Sequence, residues 1–530
     1  MPRPSLALLC CMLACAGGDG SDEATKPSDV DTADTDSDAD TDTDADTDTD
    51  ADTDTDATGA TGLPLLTGAT ARTGLTAATG PTGATGPTAD TVDTYHTGPW
   101  DSALDASATC TPTKDNALRA WCDIRVTPPQ PVAVRFVPTA GGRERVHVSD
   151  TDRVSHTVGL YLMTEETDYT WVLESPDGTP LGPSGSFQTG EIPFDANVFY
   201  SITGVSDADY LLHQSPCTGT GYAMVTTTEG ELVWYEQLVS PGGFTAIDGI
   251  NWTPTNTVLA LAGDSVVEVD FMGDELFRAS RTKNFTHRLH HDVGRDGDYT
   301  YALYNESVST KVGTFTLDGF YVFDPDGSLV GTWRLADHFE PPATDPVLEP
   351  DYSHANAVYV HDGLAQLSFR HMSTTLQVDA DPTSPTFGDI LWQLEGDPTD
   401  AHWGSDYTVT TSLGVEATFE KQHNTRITPE GRLVMFDNRR DIFDPSRWLE
   451  LELDATAGTA EIVEAYELPI HCDFQGGSWT TPGGNPIPTC APFRTAYEFE
   501  RGAIASHYSI QASCAAGISL YLPRFVPIEP

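Results

Sequence analysis

Residues 101–530 read as an all-β chain. Three observations predict that class: Trp, Tyr, Phe and Val recur at strand-like spacing, Gly, Pro, Asp and Asn punctuate them, and no long stretch carries a helical period. A chain of 530 residues has room for roughly three or four domains and a sizeable core. Its formal net charge of −53 excludes nucleic acid as a partner, which would need a basic footprint.

Taken in chain order, the first element is a targeting segment. Arg3 gives a short basic start, Ser5 to Leu13 is a brief apolar run, and Met12-Leu13-Ala14-Cys15 precedes Ala16-Gly17-Gly18. The run is too short to cross a bilayer as a mature helix, so it reads as a cleaved signal. The small residue before Cys15 predicts a lipoprotein signal over 1–15, with Cys15 lipidated as the first mature residue. Met12 stands where Leu is usual, and an ordinary secretory signal is the alternative. Either signal exports the chain to an oxidising compartment. The lipid anchor predicts a membrane-held protein of the periplasm, outer membrane or cell surface.

Residues 16–100 predict a disordered stalk. From Asp29 to Asp56, Asp alternates with Thr or Ala, which cannot bury enough apolar surface to offset its ordering entropy. The stretch lacks the Gly and closing Glu of a calcium-binding loop. Gly80, Gly83 and Gly86 repeat too briefly for a collagen helix.

Residues 101–205 predict a small immunoglobulin- or fibronectin-like β-sandwich. Val132 to Phe136 alternates, and so does Tyr169 to Leu173, which runs into the turn Pro176-Asp177-Gly178. From 206 to 530 one unit recurs, a strand, an Asp- or Gly-containing turn and a second strand. Glu229-Gly230 leading to Leu232, Asp270 to Leu276 and Asp324-Pro325-Asp326-Gly327 are the compact examples. Asp379 leading to Ile390 and Asp454 leading to Ile462 carry longer insertions. Repeats of roughly 45 to 75 residues with several strands each predict a β-propeller. Five units are visible, and Tyr508 to Pro530 is expected to complete a sixth blade with the first.

Six of the nine cysteines follow the signal, an even number that suits disulfides in an exported chain. Many connectivities are open. The arrangement expected is Cys110–Cys122, Cys472–Cys490 and Cys217–Cys514, the last joining the first blade to the final one. There is no C-x-x-C, which argues against thiol redox catalysis and a zinc knuckle.

Three histidines begin strands at related points of different repeats, in Leu289-His290-His291-Asp292, in Ser353-His354-Ala355-Asn356 and in Gln422-His423-Asn424-Thr425-Arg426. Innermost propeller strands line the central channel, so equivalent positions on neighbouring blades point at one spot. Arg370, in Ser368-Phe369-Arg370-His371, is expected on the strand after His354. The ordered series H-H-D, H-x-N, S-x-R-H, W-Q-L at Trp392-Gln393-Leu394, Q-H-x-x-R and F-D-N at Phe436-Asp437-Asn438 resembles the bacterial arylsulfotransferases.

That resemblance covers roughly residues 210–530 and implies sulfuryl transfer from an aryl sulfate to a phenol without a nucleotide donor or any other cofactor. It implies His423 as the nucleophile, sulfated in a ping-pong cycle, with His291, His354 and Arg370 as partners and Asn356 as a contact to a substrate oxygen. The partners implied are small molecules, and the resemblance leaves room for a homodimer. Two departures bear on substrate choice: Asn424 replaces a small or acidic residue, and Arg439-Arg440 follow Asn438 where glycine is common.

Other readings are weaker. His287, His290 and His291 suggest a metal, but adjacent strand residues face opposite sides, and no metal ligand is assigned. Cys490-Ala491-Pro492-Phe493-Arg494 matches a sulfatase formylglycine motif on the wrong fold, with Cys472 as an expected partner. His290, His361, His371 and His402 are expected to be structural. The rival functions are a non-catalytic surface propeller binding a glycan or protein, and a metal-dependent propeller enzyme.

Overall fold

The computed structural model describes residues 104–192, 198–215, 221–239, 247–311, 313–341, 350–397, 403–512 and 525–529. The signal with Cys15, the stalk, Cys217, Cys514 and His402 lie outside the described residues.

The chain is all-β. Strands β1 (Asp105–Pro112), β2 (Ala120–Pro138), β3 (Arg145–Leu160), β4 (Asp168–Glu174) and β5 (Pro180–Gln188) share one antiparallel sheet. The long β2 pairs with β1 through its first half and with β4 through its second, and β3 lies along its other edge. Between the halves, Pro128, Pro129 and Pro131 break the ladder, because proline has no N–H to give. The sheet folds until β1 touches β5, over a core that includes Ile124, Phe136, Tyr169 and Trp171. The disulfide Cys110–Cys122 links β1 to β2. This unit is one folded sheet that ends at Gln188, not two sheets reaching residue 205.

Strand β6 (Val198–Gly204) belongs to a later sheet, described below. Among the described residues the remaining strands form six sheets in chain order. The first holds β7 (Tyr210–Gln214), β8 (Tyr222–Thr227) and β9 (Leu232–Gln237). The second holds β10 (Ile247–Trp252), β11 (Val258–Ala262), β12 (Ser265–Val269) and β13 (Glu275–Ser280). The third holds β14 (Arg288–Asp296), β15 (Tyr299–Ser309), β16 (Thr314–Phe323) and β17 (Leu329–Arg334). The fourth holds β18 (Ala355–His361), β19 (Leu364–Phe369), β20 (Thr374–Asp379) and β21 (Ile390–Glu395). The fifth holds β22 (Thr408–Thr411), β23 (His423–Ile427), β24 (Leu433–Asp437), β25 (Arg447–Asp454) and β26 (Thr459–Glu467). The sixth holds β27 (Gly477–Thr480), β28 (Pro486–Cys490), β29 (Thr495–Glu500) and β30 (Ala503–Ala512), with β6 paired to β30. Last, β31 (Val526–Ile528) returns to the first sheet beside β7.

The recurring Asp- or Gly-containing turns of the sequence all join the third and fourth strands of a sheet, at β8–β9, β12–β13, β16–β17, β20–β21 and β25–β26. The C-terminus departs from expectation. Tyr508 lies in β30 of the sixth sheet, and among the described residues, 526–528 complete the first.

Within this series each apolar cluster lies between two consecutive sheets. Trp234 and Val267 pack the first against the second, Leu261 and Tyr321 the second against the third, and Phe320 and Leu367 the third against the fourth. Leu394 and Leu449 join the fourth to the fifth, Phe436 and Tyr497 the fifth to the sixth, and Leu211 and Tyr508 the sixth to the first. First strands touch in the same order, β10 with β14, β14 with β18, β18 with β23, β23 with β27 and β27 with β31. The series therefore closes on itself, with its first strands inside.

Candidate active site

The first strands carry a shared irregularity. In β14 pairing jumps from Leu289 to Val293, in β18 from Ala355 to Ala357, and in β23 from His423 to Arg426. His291, His354 and Asn424 take positive φ at or beside these jumps. Bulges re-aim side chains and break strand alternation. The rings of His290 and His291 accordingly lie 4.8 Å apart, edge to face, and do not point to opposite sides.

The bulges bring His291 and His354 together, with their Nε2 atoms 3.2 Å apart. His354 Nδ1 lies 2.5 Å from Asp351 Oδ2, so a proton bridges ring and carboxylate. Burial pushes the Asp351 carboxyl up, but the His354 hydrogen bond and the neighbouring imidazoles of His371 and His290 win and hold it below the usual range. His371 donates Nδ1–H to the Asp351 carbonyl at 2.5 Å, and its ring lies 4.6 Å from that of His354. Burial lowers the pKa of His371. Asp318 clamps the same turn: one oxygen accepts from the Ser353 hydroxyl and the Ala355 N–H, and the other lies 2.8 Å from His290 Nε2. Asp248 on β10 is pushed up to about 6 by burial, against the opposing charges of Arg288 and His290.

Asp351, His354 and His371 offer three atoms within 4.8 Å of one another, the grouping best able to hold a metal among the described residues. It differs from the trio suggested by sequence, because His287 is stacked on Tyr304 with Nδ1 on the Tyr321 hydroxyl.

Arg370 follows β19 directly instead of lying within the strand. Its N–H donates to the His354 carbonyl at 3.0 Å, and its guanidinium reaches the Asp473 carbonyl at 3.2 Å. His423 meets the same loop. It is 2 % exposed, and its Nε2 accepts the Gln475 N–H at 3.1 Å. On the other side, its Nδ1 is 2.7 Å from Asn438 Oδ1 and 3.1 Å from the Lys421 carbonyl. The loop approaches this closely because Gly476 lies on the Phe436 ring, where any Cβ would collide. The disulfide Cys472–Cys490 ties its base to β28, which also removes Cys490 from formylglycine chemistry.

Several motif residues prove to be braces. Asn356, expected at a substrate oxygen, has 0 % exposure and donates its amide to the Gln422 carbonyl at 2.7 Å, which holds the His423 strand. Gln422 in turn donates to Ser368 Oγ, the Phe369 carbonyl and the Thr374 carbonyl. Asp292 accepts the Val358 N–H across to the fourth sheet. Asn424 tolerates its positive φ, as Asn does, and accepts the Ser478 N–H at 2.8 Å. Arg426 is buried against the Ser478 carbonyl, and Trp392 donates to Gln377. Arg439 and Arg440 do not supply free positive charge at the rim, for Glu416, Asp444 and Glu420 pair with them. Sequence reasoning missed Asp351, Gln475 and the role of Asn438. Only Asn438 left a signal, in F-D-N.

The solved structures similar to this chain include virginiamycin B lyase from Staphylococcus aureus, at 9 % identity over 78 % of this chain and 100 % of that one, with a TM-score of 0.34. A protein of unknown function from Bacteroides caccae is 9 % identical over 57 % of this chain and 93 % of that one, with a TM-score of 0.33. At these scores neither likeness bears on the chemistry. No curated protein matches. The arylsulfotransferase (ASST) family model matches residues 159–470, a span that takes in His291, His354, Arg370 and His423. The chain belongs to the arylsulfotransferase family and is an arylsulfotransferase, acting on small aryl sulfates and phenols.

Proposed function

We propose that transfer proceeds by a ping-pong cycle through a sulfated His423. The observation that carries this reading is convergence on one loop: Arg370 reaches it at Asp473 and His423 at Gln475, while His354, paired to Arg370 through the backbone, stands beside His291. The Gln475 N–H must first release the imidazole lone pair. A nitrogen of His423 then attacks sulfur, the bond from sulfur to the aryl oxygen breaks, and its electron pair leaves on the phenolate. Arg370 offers planar donors to the nonbridging oxygens. His354 or His291 protonates the phenolate and later takes the acceptor phenol's proton. The acceptor oxygen then takes sulfur, and the nitrogen–sulfur bond pair returns to the ring.

On this reading the six closed sheets are the blades of a propeller, and Cys15 anchors an exported protein to a membrane. Incubation with 4-nitrophenyl sulfate and no acceptor, followed by mass spectrometry, should give one sulfuryl adduct on the His423 peptide and a burst of one nitrophenol per chain. The reading fails if no adduct forms and His423→Ala turns over normally.

A further inference from the structure

We propose that Asn438 is a positioning residue that fixes the tautomer of His423 and so decides which ring nitrogen takes the sulfuryl group. The inference rests on the sulfohistidine reading above.

An asparagine amide can point either way, and its partners decide which end is oxygen. The Asn438 Nδ2 group faces two backbone carbonyls, Cys472 O and Gln475 O, each at 2.8 Å. Carbonyls only accept, so that end must be the NH2 group. The other end is therefore the oxygen, 2.7 Å from His423 Nδ1. An oxygen there requires a proton on Nδ1. The Lys421 carbonyl, 3.1 Å from the same nitrogen, makes the same demand. From the opposite side the Gln475 N–H can only donate, so His423 Nε2 must hold the lone pair. Two acceptors at Nδ1 and one donor at Nε2 thus agree on a single neutral tautomer, with Nδ1 protonated and Nε2 nucleophilic. Asn438 itself is held from behind, where the Ser446 hydroxyl donates to its carbonyl at 3.0 Å.

The same amide does a second task. Its two donors grip the loop whose Gln475 N–H covers Nε2, so nitrogen and cover are set by one side chain. An alanine leaves His423 free to take the other tautomer. An aspartate keeps the oxygen toward Nδ1 but sets a second oxygen against the two loop carbonyls.

The test compares the full chain with its Asn438→Ala and Asn438→Asp variants. Imidazole 15N spectra, with His423→Gln used to assign the signal, should show protonated Nδ1 and bare Nε2 in the parent and a mixture in Asn438→Ala. The adduct should sit on Nε2 in the parent. In Asn438→Ala, kcat should fall about 10- to 100-fold, with KM for the aryl sulfate within about twofold, since a purely structural loss removes active protein without changing the tautomer. A parent spectrum with Nε2 protonated, or an Asn438→Ala protein with parental tautomer and kcat, overturns the proposal. Absence of any adduct on the parent His423 overturns the sulfohistidine reading instead, and the spectra still decide the tautomer. If Asn438→Ala fails to fold, the parent spectrum and the nitrogen bearing its adduct decide alone.

Discussion

At the residue scale, the sulfohistidine reading separates groups that would meet substrate from groups that hold them. Asp351 is of the second kind, since its contact is the 2.5 Å bond to His354 Nδ1. A carboxylate at that nitrogen leaves Nε2, beside His291, as the working end of His354. Proton donation matters most when the leaving phenolate is basic. Asp351→Asn should therefore lower kcat/KM about tenfold or more for phenyl sulfate, and much less for 4-nitrophenyl sulfate. Equal losses on both substrates, measured by steady-state assay, would count against this role. His291, His354, Arg370 and His423 were legible because their spacing follows the repeat. Asp351 was not, because it lies before β18 in no motif, and the brace that Asn356 forms was not, because its residue type suits a substrate contact as well.

At the scale of elements, turns were easier to read than strands. Asp and Gly residues mark the third-to-fourth turns openly, for instance at Asp324, whose carboxylate accepts the N–H groups of Asp326 and Ser328. The bulges of β14, β18 and β23 carry no such mark, since positive φ falls on His291, His354 and Asn424 and not on glycine. That is why alternation placed His290 and His291 on opposite faces. β24 ends in Asp437, which is fully buried with Arg447 Nε at 2.7 Å and accepts the N–H groups of Glu420 and Arg439. Removing one partner of such a pair leaves a charge without compensation. Arg447→Ala should cost about 3–5 kcal/mol in urea denaturation. It should also loosen the turn that leads into His423. A loss below about 1 kcal/mol, the range of an exposed pair, would contradict this account.

At the scale of the whole molecule, closure depends on two sheets built from distant segments. β6 joins β30, and β31 joins β7. His213 is buried at this seam, its ring against those of Tyr200 and Phe525, with Nδ1 bonded to the Gln214 carbonyl. Burial lowers its pKa from 6.5 to about 4. A base whose folded pKa is depressed stabilises the fold above its unfolded pKa and loses that contribution as pH falls toward the folded one. Stability should thus decline from about pH 6.5 to about pH 4, and His213→Phe should flatten that part of the denaturation profile. A parallel decline in both proteins would assign the acid sensitivity elsewhere.

The seam also sets an order of events. The middle sheets pair neighbours in sequence and can form as soon as each segment leaves the ribosome. The sixth sheet takes in β6 from far upstream, and the first needs residues 526–528, so the ring stays open until that segment is made. The loop that covers His423 runs straight into β27 of that sixth sheet. A growing chain therefore makes His423 well before the segment that closes the ring around it.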